Sequence, residues 1–153
     1  MTYGRWILEH LMAEEGYRRT PYKDTRGVLT VGIGHRIWPG DAIEEHSELT
    51  DQQVRLWFLE DLTVAELAFQ RLFGWRGHAE INDARKVALT GMCFQLGEAG
   101  VLGFVNMRQA ARQGDWPLAA REALDSRWAE QTPARAARVA RILDSGTYRK
   151  SRN

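Results

Sequence analysis

Glu15-Gly16-Tyr17-Arg18-Arg19-Thr20-Pro21-Tyr22-Lys23-Asp24-Thr25-Arg26-Gly27-Val28-Leu29-Thr30-Val31-Gly32-Ile33-Gly34-His35 is the stretch that decides the fold. Ahead of it, Ile7, Leu8, Leu11 and Met12 set an apolar stripe on one helical face, with Thr2 placed to cap that helix and Gly16 to stop it. From Tyr17 to Ile37 the helical period is lost. Pro21, Gly27, Gly32 and Gly34 punctuate a run of β-formers: Tyr22, Val28, Leu29, Thr30, Val31 and Ile33. Asp24-Thr25-Arg26-Gly27 reads as a turn, so a hairpin or small meander is expected here and in no other convincing place. Pro39-Gly40-Asp41 is expected to form a loop.

Beyond this segment the pattern is helical. Thr50-Asp51-Gln52-Gln53 matches a capping box, and Val54, Trp57, Phe58, Asp61, Leu62, Ala65 and Phe69 follow at helical spacing. The spacing predicts one long helix to about Phe73, able to connect two lobes, with Gly74 and Gly77 bracketing a turn. Asn82-Asp83 caps a further helix carrying Val87, Leu89, Met92, Phe94 and Gln95, apolar nearly all round and therefore central and buried, with Gly97 near its end. Shorter helices are expected from Gly103 to Arg112 and from Pro117 to Leu124, broken by Gly114-Asp115-Trp116-Pro117. Gln131-Thr132-Pro133 starts a last helix, Thr as N-cap and Pro in the first turn, ending near Ser145-Gly146. The fold class is α+β, mostly helical with one small β element.

A chain of 153 residues fits one domain, or two small lobes around a shared core. The net charge of +1 conceals a bias: residues 1–100 balance at −4 and residues 101–153 at +5. A basic C-terminal third suits an anionic partner, and equally suits a set of solvated helix faces. Cys93 is the single cysteine and sits in the apolar run Met92-Cys93-Phe94, so it reads as a buried small hydrophobe rather than a nucleophile. No stretch approaches the roughly 20 apolar residues of a membrane span. Glu9, His10, Glu14 and Glu15 interrupt the first helix where a signal peptide needs an apolar run, so delivery by another protein is expected if the target lies outside the cytoplasm. His10, His46 and His78 lack metal-ligand spacing, so no metal and no cofactor is expected. Gly32 and Gly34 lack the remainder of a phosphate-loop pattern and read as backbone turns. Of the six tryptophans, Trp57, Trp116 and Trp128 suit cores, whereas Trp38, on a loop beside the β segment, suits stacking on a sugar.

Glycoside hydrolysis commonly takes two carboxyl groups: one donates a proton to the leaving oxygen, and the other activates water or attacks the sugar. The donor is best partly desolvated, so that it stays protonated near neutral pH. Glu15, ending a helix against a hairpin, suits the first role. Asp24, in an exposed turn, suits the second, and the Thr30 hydroxyl in the next strand suits holding a water. By themselves a Glu at a helix end and an Asp in a turn are common, and residue chemistry alone does not decide for a glycosidase.

The quoted segment closely resembles the catalytic segment of the phage-type lysozymes: Glu, eight residues, Asp, five residues, Thr, then Gly-Ile-Gly-His. A distant second stretch agrees: Met92 to Glu98, Gly103-Phe104, Ser126-Arg127-Trp128, Gln131-Thr132-Pro133 and Arg135. The resemblance implies a two-lobed fold in a single domain over 1–153, with a small β-containing lobe at about 14–60 and a helical lobe at about 1–13 and 70–153. It implies a peptidoglycan hydrolase, an endolysin-like muramidase cutting the β-1,4 bond between N-acetylmuramic acid and N-acetylglucosamine. It further implies inversion, with carboxyls about 6.5–9.5 Å apart. Glu15 matches the general acid, Asp24 the carboxylate that positions or deprotonates water, and Thr30 the residue that helps hold it. His35 matches a structural histidine paired with Asp61. Arg135 matches an arginine approaching Glu15, and Arg138 is placed to pair with Glu14. Phe94 and Gln95 match cleft-lining residues.

Departures from the family pattern concern the substrate side. The segment between His35 and the long helix is shorter than in the T-even members, Arg36 replaces an apolar residue, and Glu122 stands in place of an Asn near the substrate. With Trp38, these residues are the expected substrate contacts. Two other readings stand beside the hydrolase: a lytic transglycosylase, against which Asp24 and Thr30 argue, and a non-catalytic wall-binding or structural domain, against which the complete Glu-Asp-Thr set argues. The expected partner is bacterial peptidoglycan, with no nucleic acid and no stable membrane insertion. The expected state is a monomer made in the host cytoplasm and released to the wall by a holin-type protein.

Overall fold

The computed structural model describes residues 2–77 and 80–149. Two of the readings above, the side chain of Thr2 as a cap and His78 as a non-ligand, fall outside the described residues.

Helix α1 (Thr2–Glu15) buries Ile7 and Leu11, one turn apart. It stops where Gly16 turns left-handed (φ 74) and donates its N–H to the Met12 carbonyl at 3.0 Å. The β segment is a three-stranded antiparallel sheet of β1 (Arg18–Lys23), β2 (Leu29–Gly32) and β3 (His35–Arg36), in the order β1-β2-β3. Tyr22 pairs with Thr30 and Lys23 with Leu29, and the register breaks between Arg18 and Tyr22. Pro21 lies in that break: it has no N–H to give the ladder, and edge-strand irregularities are where proline is tolerated. Thr30 also faces Arg36, and Val31 faces His35. Pro39–Asp41, expected as a loop, is a single 3-10 turn preceded by Trp38.

The long helix is α2 (Asp51–Phe73), and Thr50 and Gln53 close the expected capping box at its start. Helix α3 (Asp83–Leu102) is capped by Asn82, whose side chain accepts the Arg85 N–H at 3.0 Å. Gly97 (φ 71, ψ 171), near the end of α3 as expected, kinks it. Helices α4 (Val105–Gln113) and α5 (Trp116–Leu124) follow, with Asp115 capping α5 through the Leu118 N–H. The sequence reading missed α6 (Arg127–Gln131), one short helix capped by Ser126 through the Ala129 N–H. It therefore misplaced Gln131, which closes α6 rather than opening α7 (Pro133–Ser145). Thr132 precedes α7 but does not cap it with its side chain; its hydroxyl donates back to the Trp128 carbonyl at 3.1 Å.

Buried apolar side chains form two clusters. The smaller gathers Ile7 and Leu11 of α1, Val31 and Ile33 around β2, Leu49 just ahead of α2, Val54 and Phe58 within it, and Val87 of α3. The larger draws on the second half of α2, on α3 and on α4 to α7. Helices α2 and α3 contribute to both, and Phe94 packs against each, so displacement of either helix is felt in both cores. Cys93 is 3% exposed, and burial pushes its thiol up to about 12, which leaves it an inert space-filler. Trp116 and Trp128 are buried as expected, whereas Trp57 is half-buried with its ring 4.4 Å from that of His35. Among the described residues, no single helix is long and apolar enough to cross a membrane.

Candidate active site

Glu15 is the last residue of α1 and points back over the turn between β2 and β3. A Cβ placed on Gly34 lies 2.8 Å from Glu15 Oε2 and 3.0 Å from its Cβ and Cγ, so the carboxylate rests directly on the Gly34 backbone. That close approach, with φ of 67 at Gly34, is why this turn takes glycine. Arg135 reaches in from α7, its Nη1 2.7 Å from Glu15 Oε1, a charge contact without hydrogen-bond alignment. The Glu15 side chain is 17% exposed and that of Arg135 9%. Glu15 Oε1 and Arg135 Nη2 are buried with no hydrogen-bond partner in the protein. Buried polar atoms normally find one, and exceptions concentrate where chemistry is done.

Asp24 follows β1 and is fixed by its own turn. Its Oδ1 accepts the N–H groups of Arg26 (2.8 Å) and Val28 (2.9 Å), while its backbone carbonyl accepts from Gly27. Oδ2 is left on the open side, 3.9 Å from Arg26 Nε. Thr30 is 5% exposed, and its hydroxyl donates to the Val28 carbonyl at 3.0 Å, so its oxygen keeps lone pairs to accept with. Val28 thus ties the two residues together, its N–H held by Asp24 and its C=O by Thr30.

Tyr22, which the sequence reading missed, stands beside the site, paired with Thr30 across the sheet and with Arg18 over its ring at 4.6 Å. Its hydroxyl is held above the ordinary phenol range first by burial and then by the negative charge of Glu15, with Asp24 adding and Arg18 opposing. The signal was available: Tyr22 stands two residues before Asp24 and opposite Thr30, on one face of the sheet.

Supporting pairs surround these groups. Arg138 makes a two-pronged contact with Glu14 at 2.7 and 2.9 Å. Burial pushes the Glu14 carboxyl up, but Arg138, with Arg135, outweighs it and holds the net value below the usual range. His35 Nδ1 lies 2.7 Å from Asp61 Oδ2, as expected, and its Nε2 lies 3.1 Å from Asp41 Oδ2, a partner the sequence reading did not find. Burial opposes the imidazolium, but the bonds to Asp61 and Asp41 prevail and the net shift is upward. Asp41 also caps the 3-10 turn through the Trp38 N–H, so His35 ties β3, this turn and α2 together.

The expected substrate contacts are dispersed. Phe94 lies 6.0 Å from Phe58, bridging the two cores. Gln95 accepts the indole N–H of Trp128 at 2.9 Å. Glu122 lines a groove of about 340 Å³ with Phe104, Met107, Asp125, Arg127 and Trp128, and Glu15, Asp24 and Thr30 do not line it. Trp38 is 54% exposed, but Arg36 lies over its ring at 4.4 Å, so the two form one cation–π unit rather than a bare stacking platform.

Residues 12–143 match the phage lysozyme family. Among curated proteins, the chain is 29% identical to the probable T4-type lysozyme 1 of Dictyostelium discoideum, over 92% of this chain and 95% of that one. It is 32% identical to the pre-baseplate central spike protein Gp5 of Enterobacteria phage T4, over 92% of this chain but 28% of that much longer one. With the peptidoglycan hydrolase gp36 of Pseudomonas phage phiKMV it shares 35% identity, over 80% of this chain and 13% of the relative.

Proposed function

The chain belongs to the phage lysozyme family, and on that premise we propose that it hydrolyses the β-1,4 bond between N-acetylmuramic acid and N-acetylglucosamine in peptidoglycan, with inversion. The observation that carries this reading is Glu15 itself, a largely buried carboxylate at the end of α1 that lies against the Gly34 backbone and 2.7 Å from Arg135, with its Oε1 left without a hydrogen-bond partner. In the proposed reaction, protonated Glu15 gives its proton to the glycosidic oxygen as the bond from that oxygen to the anomeric carbon breaks. Water attacks the same carbon from the opposite face and gives its proton to Asp24. The free Oδ2 of Asp24 and the Thr30 oxygen are the two acceptors that orient this water. Arg135 holds Glu15 in place from α7. The product is a new reducing end.

The substrate assignments belong to the same proposal. Phe94 and Gln95 line the cleft, Glu122 contacts the polymer from its groove, and Arg36 with Trp38 offers a cationic aromatic edge near the β sheet. His35, Asp61, Arg138 and Glu14 support the fold rather than the chemistry. The two apolar clusters support a single domain whose small and helical lobes flank the cleft. We include in the proposal a monomer made in the host cytoplasm that reaches the wall through a holin-type protein, as expected of an endolysin.

The test is clearing of purified sacculi by the native chain, Glu15→Gln and Asp24→Asn, with each variant's melting curve recorded. Loss of clearing in both folded variants, with intact binding, supports the two-carboxylate reading. Sacculi bound by the native chain but never cleared would turn the reading to a wall-binding domain.

A further inference from the structure

The helical half of the molecule carries a second concave surface, lined by Trp75, Val105, Arg108, Gln109, Arg112 and Gln113, with a volume of about 760 Å³. Arg108 and Arg112 are one helical turn apart on α4, and their guanidinium carbons lie 5.8 and 5.4 Å from the centre of the Trp75 ring. Guanidinium groups within cation–π reach of a ring keep N–H groups available for an anion. Arg5, Arg19, Arg26, Arg71, Arg135 and Arg138 each have an acidic partner. Among the described residues no carboxylate pairs with Arg108 or Arg112. Arg108 Nε is buried without a hydrogen-bond partner, and its Nη1 makes one long contact of 3.4 Å with the Leu102 carbonyl. Two cationic forks with unspent donors thus stand beside an indole and two carboxamides.

Val105 is 61% exposed and lines both this groove and the smaller one that holds Glu122. The two surfaces therefore meet across one valine with opposite character. The smaller presents Glu122 and Asp125, with Arg127, and the larger presents Arg108 and Arg112. A continuous polyphosphate crossing Val105 would run into the carboxylates. A peptide bearing both carboxylate and ammonium groups meets the complementary charge on each side.

We propose that the Trp75–Arg108–Arg112 groove is a second, non-catalytic site that binds the carboxylates of the peptide stems of peptidoglycan while the glycan occupies the cleft. The identity of the polymer rests on the hydrolase reading; the anion-binding chemistry rests on the groove itself.

The test measures binding in a Glu15→Gln background to two probes, intact sacculi and sacculi stripped of their peptides by an amidase. The background protein should bind intact sacculi more tightly than stripped ones. Adding Arg108→Gln and Arg112→Gln should weaken binding to intact sacculi about tenfold, or about 1.4 kcal/mol, and leave binding to stripped sacculi unchanged. Arg112→Gln alone, at an exposed position on α4, should give about threefold and serves if the double substitution fails to fold. Equal loss on both probes, or no loss on either by a variant that melts normally, overturns the proposal. If the native chain releases no reducing ends, the hydrolase reading fails while this comparison still decides the groove.

Discussion

Gly34→Ala places one methyl group against the proposed general acid, whose atoms are the three nearest to it. The new Cβ would start 2.8 Å from Glu15 Oε2 and 3.0 Å from Glu15 Cβ and Cγ, where carbon contacts settle at about 3.5–4.0 Å. Glu15 must retreat by at least about half an ångström. Misplacement of a reacting group by about 1 Å can cost about a hundredfold in rate, so the expected loss is about ten- to a hundredfold. Alanine at φ 67 adds backbone strain of about 1 kcal/mol, which for a chain of this size lowers the melting temperature by roughly 2–4 °C. Gly27→Ala separates strain from contact, because Gly27 has φ 77 but open space where the methyl would go. The assay is the initial rate of reducing-end release from sacculi, with melting curves for both variants. A Gly34→Ala protein that melts with Gly27→Ala and cuts at the native rate would refute the placement of Glu15.

Three further expectations concern stability. His10 is buried with its Nε2 against the Gly91 backbone, and burial holds its pKa down to about 4. Because the unfolded imidazole takes a proton near 6.5, stability is full above that pH and falls by up to about 3 kcal/mol as pH drops toward 4; urea midpoints should show this fall shrinking in His10→Gln. His35 has the opposite sign: its raised pKa contributes stability below about 6.5 that is lost as pH rises through the folded value. Asp61→Asn should therefore cost more at pH 6 than at pH 9, and an equal cost at both would count against a charged pair. Arg138→Gln removes the two-pronged partner of a Glu14 side chain that is 6% exposed, but the Arg138 head is 42% exposed and screened. A loss of about 1–2 kcal/mol with hydrolysis retained is expected, and lost hydrolysis in a folded variant would move Arg138 into the site.

The parts of this molecule readable from its sequence are those fixed by local chemistry. Thr50 with Gln53, Asn82 and Gly16 set helix ends through bonds spanning three or four residues, and each lies where the pattern places it. The Asp24 turn is equally local. Arg135 on Glu15 and Arg138 on Glu14, both reaching from α7 to α1, followed from the family pattern, since nothing in the spacing of either helix specifies them. What escaped depends on tertiary position. Asp41 finds His35 only because a loop tightens into a 3-10 turn. Helix α6 is one short turn whose residues carry no apolar period. Thr132 has the right identity for a cap, but its hydroxyl finds the Trp128 carbonyl first, and residue type alone does not say which partner wins.

The most direct test is the anomeric form of the first product. Proton NMR of a soluble peptidoglycan fragment during cleavage by the native chain should show the α-anomer of the new reducing end before mutarotation, and none with folded Glu15→Gln. A β-anomer would contradict inversion, and a 1,6-anhydro sugar would mean that no water was activated by Asp24 and Thr30.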